Sequence, residues 1–229
     1  MNRLWWFQFR CLLSQNLKAD AADKERLLTP FLFAATNLIL FNFVLGDVSQ
    51  GIETHLFVAE VYLISLFALQ MSYSRIFLPD QQDRVFDLLL SYPLAPGAWF
   101  LARYVMAVFY GLVVLLPLIA LAAFFSSGLD LQIFLSPIWI TGLLSIMGLA
   151  ALGVLLSAMT MKASGKEMLF PLIYFPLTIP VLLAATQASL EFIHGPDHHG
   201  WQWLGLLSGF DIIYITLGFM LFGELTDAA

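Results

Sequence analysis

Charge is scarce in this sequence of 229 residues: only 11% of positions are Asp, Glu, Lys or Arg, against roughly 25% in a soluble globular domain, while 60% are apolar. A water-soluble fold is excluded on that count, and lipid is the solvent that such a composition fits. Cysteine is nearly absent. The single Cys11 rules out an intramolecular disulfide, a cysteine metal cluster and a redox pair within the chain. The phosphate-binding Gly-x-x-x-x-Gly-Lys-Ser/Thr loop is also missing. The one Gly-Lys pair, Gly165-Lys166, is followed by Glu167 and has no glycine upstream at the required spacing, so ATP hydrolysis by that route is excluded. There is no His-Glu-x-x-His zinc site, no Gly-x-Ser-x-Gly nucleophile turn and no repeated half. The chain is therefore not expected to be an enzyme on its own.

What is present is a series of long apolar runs. A spanning helix needs about 20 mainly apolar residues, because the hydrocarbon layer is about 30 Å thick and each helical residue rises about 1.5 Å. Six stretches satisfy this, near 27–46, 56–78, 100–125, 131–159, 168–187 and 204–223. The runs are continuous rather than alternating, which predicts helices instead of barrel strands. The expected fold is a single all-α transmembrane domain over 1–229.

The ten Lys and Arg residues fall on one side of that arrangement. Arg3, Arg10, Lys18, Lys24 and Arg26 precede the first span; Arg75, Arg84 and Arg103 flank the second connection; Lys162 and Lys166 occupy the fourth. The first, third and fifth connections (47–55, 126–130 and 188–203) contain none, so positive charge inside predicts a cytoplasmic N-terminus. Six spans return the C-terminus to the same side. A net charge of −6 adds little, since placement outweighs the sum, and no nucleic-acid partner is expected.

Two segments outside the spans are amphipathic. In 1–26, Trp5, Phe9, Leu12 and Leu13, with Trp6 and Leu17, recur at helical steps opposite Arg3, Gln8, Arg10, Gln15 and Lys18. This predicts an interfacial helix rather than a cleaved signal peptide, as no small-residue cleavage site follows. In 79–96, Asp80 and Asp83 suit the positive end of a short helix, with Asp87 further along. Val85, Phe86, Leu89 and Leu90 form its apolar face, and Pro93 stops it. A partner groove or the membrane interface must cover so much apolar surface.

Within the spans, Pro171, Pro176 and Pro180 each remove a backbone donor from the fifth, which predicts a hinge, a break or a packed kink, with Thr178 serving the freed carbonyls. Gly148, Gly153 and Ser157 in the fourth permit close helix approach, for internal packing or for a homodimer. Asp211 and Glu60 are intramembrane carboxyls that, if ionised, must face the bundle or a watery cavity, or else take up a proton. Asp211 is the leading candidate, and Glu60, Asn37, Asn42 and Gln70 are expected to bond between helices. All four histidines, His55, His194, His198 and His199, lie opposite the positive side. His194, His198 and His199, with Trp201 and Trp203, fit a haem or zinc ligand set or a solvated turn beside an aromatic belt.

An amphipathic helix between spans two and three that ends in Leu89-Leu90-Ser91-Tyr92-Pro93 resembles the coupling helix of type-2 ABC permeases. Pro176-Leu177-Thr178-Ile179-Pro180 is similar to a signature of the CcmB (haem exporter protein B) family of cytochrome c maturation, although Arg84 follows Asp83 where that family often has Gly. Length, span count and topology agree over nearly the whole chain. The resemblance implies a permease subunit in a bacterial inner membrane, with a type-2 or type V-like ABC architecture. Its implied partners are a separate ATPase (A), a haem-handling membrane subunit (C), a small membrane subunit (D) and a periplasmic haem chaperone (E). It implies ATP on the partner, haem as cargo, and no cofactor resident in this chain. Two alternatives stay open: a type-2 permease for lipid, polysaccharide or drug, and an intramembrane enzyme using Asp211 and the outer histidines.

Overall fold

The computed structural model describes residues 2–22, 24–45, 53–78, 95–125, 137–160, 165–194 and 198–227. Within them lie seven helices, numbered here α1 (Asn2–Ala22), α2 (Lys24–Leu45), α3 (Glu53–Tyr73), α4 (Pro96–Phe125), α5 (Ile138–Thr160), α6 (Lys166–His194) and α7 (His198–Asp227). Helices are what apolar chain must form in lipid, where each backbone N–H and C=O has to be satisfied within the segment. Five are long and apolar enough to cross a bilayer: His55–Tyr73, Pro96–Leu121, Ile138–Thr160, Met168–Ile193 and His199–Glu224. The chain is thus a multi-pass membrane protein. The apolar stretch of α2, Leu28–Val44, falls just short of the 18 residues that define the other five.

Several boundaries differ from the sequence expectation for local reasons. Of the fourth expected span, 131–136 lie outside the described residues; the described helix runs from Ile138, where the Pro137 carbonyl receives the N–H groups of Ile140 and Thr141. Pro96, expected to close the coupling segment, instead opens α4, where a proline loses nothing because the first N–H has no helical partner. The Ala95 carbonyl receives the N–H groups of Ala98 and Trp99. Before α6, Gly165 adopts φ +82°, a conformation few other residues tolerate, and its carbonyl accepts from Met168 and Leu169.

α5, α6 and α7 pack most extensively on one another, and α4 joins this trio to α2 and α3. α5 is the central element, with 67% of its apolar window buried, against 22% for α7. Tyr73, Tyr174, Phe77, Phe100 and Phe170 are among the largest fully buried side chains. The small residues of α5 serve this internal packing: a side chain at Gly153 would meet the Tyr73 ring, one at Gly148 would meet Asp211, and Ser157 is buried. α1 docks chiefly on α4, burying Leu12 with Phe9 and Leu13 against the core. Its Leu17, expected on the apolar face, is exposed with Leu4, Trp6 and Phe7.

Candidate functional site: a braced bundle around a buried carboxyl

Residues 79–94, which carry Asp83, Val85, Phe86, Asp87, Leu89, Leu90 and Pro93, lie outside the described residues. Their two flanks are described, and both are pinned. Before the segment, α3 ends at Tyr73 and relaxes into successive turns over 74–78. There the Arg103 guanidinium of α4 donates to the Ile76 carbonyl at 3.2 Å and lies 5.5 Å from the Phe77 ring centroid. Arg103 is buried, which suits a cation that gains a carbonyl and a ring face in exchange for water. After the segment, the Ala95 N–H donates to the Gln8 side-chain carbonyl of α1 at 3.2 Å.

A ring cluster ties these flanks to the last helix. Phe77 and Trp99 both pack on Phe222 of α7, at 6.0 Å and 5.5 Å, and Phe100 does so at 5.7 Å. Glycines make this approach possible: a side chain at Gly218 would collide with the Phe100 ring, and one at Gly97 with Phe219. Residues 76–77 and 95–103 are therefore coupled mechanically to α7.

The opposite ends of α3, α5 and α6 are joined by hydroxyls. Tyr62 Oη lies 2.9 Å from Ser189 Oγ and donates to Thr141 Oγ1 at 3.3 Å; Thr141 and Ser189 are themselves 2.9 Å apart. All three residues are buried, so the bonds form out of contact with water. Arg103 and Tyr62 were not singled out from the sequence; the only signal was a polar group inside or beside an apolar run.

Between the two ends sits Asp211, 3% exposed, with neither carboxyl oxygen hydrogen-bonded. It occupies a notch on α5: an ideal side-chain carbon at Gly148 would fall 2.5 Å from Asp211 Oδ1, and Val181 of α6 borders the same space. Tyr104 of α4 is close enough to interact electrostatically with the carboxyl, and its own hydroxyl is buried and unpaired. Further tyrosines continue inward: Tyr73 donates to the Ala107 carbonyl and stands edge-on to Tyr174, which donates to the Leu149 carbonyl.

Residues 7–224 match the family described as CcmB protein. The match covers nearly all of the chain. This chain belongs to the CcmB family. CcmB is the membrane component of a haem-exporter ABC system in cytochrome c biogenesis and is a permease subunit rather than an enzyme. No curated protein matches the chain closely enough to be counted.

The remaining sequence candidates of this CcmB chain fall into separate places. Pro171, Pro176 and Pro180 all lie inside α6, which runs unbroken from Lys166 to His194. Thr178 donates to the Phe175 carbonyl, not to the carbonyls of Leu172 or Pro176 that the prolines leave without their usual donors. The Tyr214 hydroxyl of α7 instead reaches the Leu177 carbonyl at 3.0 Å, in the turn before Pro180. Glu60 Oε1 is buried with no hydrogen-bond partner, and Asn37 donates at 2.8 Å to the Phe33 carbonyl of its own helix. Neither makes the interhelical bond expected of it.

The histidine segment is mostly helix rather than a turn. His194 ends α6 and His198 and His199 open α7, leaving only 195–197 outside the described residues. His199 Nδ1 lies 3.3 Å from Gln202 Oε1, Trp201 stacks edge-on to Phe192, and Trp203 packs against the core. Among the described residues no three His, Cys, Asp or Glu side chains gather as a metal centre requires. Asp211 lies twelve residues beyond His199 on one helix, about 18 Å along its axis, so the two do not share a site.

Proposed function

We propose that this CcmB chain is a six-span permease with both termini in the cytoplasm, and that it converts ATP hydrolysis by a separate ATPase into haem export or release of a haem-loaded chaperone on the outer side. The reading takes Leu28–Val44 as the first span, tilted little or set in locally thinned lipid, as an apolar stretch of about 25 Å requires. It places α1 along the cytoplasmic surface.

The observation that carries the mechanism is the pinning of both flanks of 79–94, by Arg103 on one side and Gln8 on the other. A coupling helix transmits force only if its roots cannot yield. Here its roots are tied to α4 and α1, and the Phe77–Trp99–Phe222 rings carry displacement across to α7. In this mechanism ATP binding closes the ATPase dimer, the helix around Phe86, Leu89 and Leu90 rides in its groove, and the spans rearrange as one of two packed states. The family's haem-handling subunits and chaperone are the partners on the outer side.

The test is to replace Phe86 or Leu89 by Asp in the full complex. Each substitution is expected to abolish co-purification of the ATPase while the chain still inserts in the membrane. Retained ATPase binding would sink the coupling assignment.

A further inference from the structure

The buried carboxyl of α7 has no part in the mechanism above, yet both of its oxygens are buried without a hydrogen bond. We propose that Asp211, seated in the Gly148 notch beside Tyr104, is an intramembrane proton-binding site that is occupied when the helices are packed as they are here.

The ligand follows from the surroundings. Three helices pack against α7: α4, α5 and α6. From α4 the neighbour is Tyr104; the adjacent Arg103 is directed to the Ile76 carbonyl and the Phe77 ring at the bundle's end. α5 offers no titratable side chain anywhere in Ile138–Thr160. From α6 the notch receives Val181, while the Tyr174 hydroxyl is engaged with Leu149 and Glu191 lies ten residues further on, about 15 Å along the axis. On α7 itself Tyr214 is committed to Leu177.

Among the described residues no cation reaches the Asp211 carboxyl, and neither of its oxygens accepts a hydrogen bond. An ionised carboxylate held in that way, away from water, is far less stable than the neutral acid. The carboxyl lies against α5, its Oδ1 2.5 Å from where a Gly148 side-chain carbon would stand, with Val181 beside it, and this apolar wall offers a metal ion no second ligand. A proton alone fits. Its removal needs only water as acceptor: the O–H bond of the acid breaks, the electron pair stays on the carboxylate, and the proton leaves as hydronium. Separation of α7 from α5 would admit that water.

The wild-type chain contains its own reporter, since Asp211 is the sole aspartate within the five spans and Leu28–Val44. The full chain, made with carboxyl-labelled ¹³C-aspartate and reconstituted in lipid, is examined by infrared spectroscopy at neutral pH. A carbonyl stretch from a neutral labelled acid is expected, shifting in heavy water, while the aspartates outside the apolar spans are expected to give ionised bands. Label in aspartate alone separates this signal from Glu60. Asp211→Asn removes the band. Should that variant fail to insert, Gly148→Ala in the labelled chain is expected to shift the band by crowding the carboxyl. Only ionised bands in the wild-type chain, or a neutral band that survives Asp211→Asn or ignores Gly148→Ala, would overturn the proposal.

Discussion

The two ends of the bundle are joined by different chemistry. At the end next to residues 79–94, the turns after α3 meet α4 and α7 through rings, a buried guanidinium and glycines that let Phe100 and Phe219 sit against backbone. At the other end, α3, α5 and α6 meet through the hydroxyls of Tyr62, Thr141 and Ser189. Ring contacts spread over area and survive small rotations, whereas hydroxyl bonds weaken steeply once distance or angle departs from optimum. If the proposed coupling holds, the difference teaches that the end next to 79–94 is built to remain attached while it moves, and the far end to define one register.

The comparison is most easily broken at the ring-packed end. Gly218→Val drives a side chain into Phe100 and is expected to destabilise by about 1–3 kcal/mol, read by denaturant unfolding in detergent. Gly209→Val on the same helix, where a side chain meets nothing within 4 Å, is expected to have no comparable effect. Arg103→Gln is expected to cost a comparable amount, about 1.5–3 kcal/mol, because it removes a charge-assisted bond to Ile76 and the cation over Phe77. The same variant should lower the ATP-driven readout more than it lowers ATPase binding, measured on one purified complex. Smallest is Tyr62→Phe, at about 0.6 kcal/mol, typical of a hydrogen bond between membrane helices, since the Thr141–Ser189 contact survives it. If Tyr62→Phe proved costlier than Arg103→Gln, the ranking of the two ends would be reversed.

The helical membrane class was legible because apolar runs of such length have one stable form in lipid. The family was legible from Pro176 to Pro180 and the Leu-Leu-x-x-Pro ending at Pro93, and the match over 7–224 bears that out. Helix ends were less legible. Residues 188–203 mix polar, aromatic and turn-forming types, which suggested a loop, but α6 continues to His194 and α7 starts at His198. The Asp211 notch was half legible: a carboxyl in a span announces itself, whereas its neighbours Tyr104 and Gly148 come from helices distant in the chain. Tyr62 and Ser189 are 127 residues apart, a pairing that no local pattern encodes.

The Tyr214 hydroxyl on the Leu177 carbonyl has its own consequence. The proline-rich stretch of α6 lacks internal rungs, and one of its carbonyls is held by the neighbouring helix. α7 therefore acts as a splint: α6 cannot flex there alone without giving up the bond. Any bend at Pro180 is then a displacement shared by two helices, one of which also carries Phe222 and Asp211.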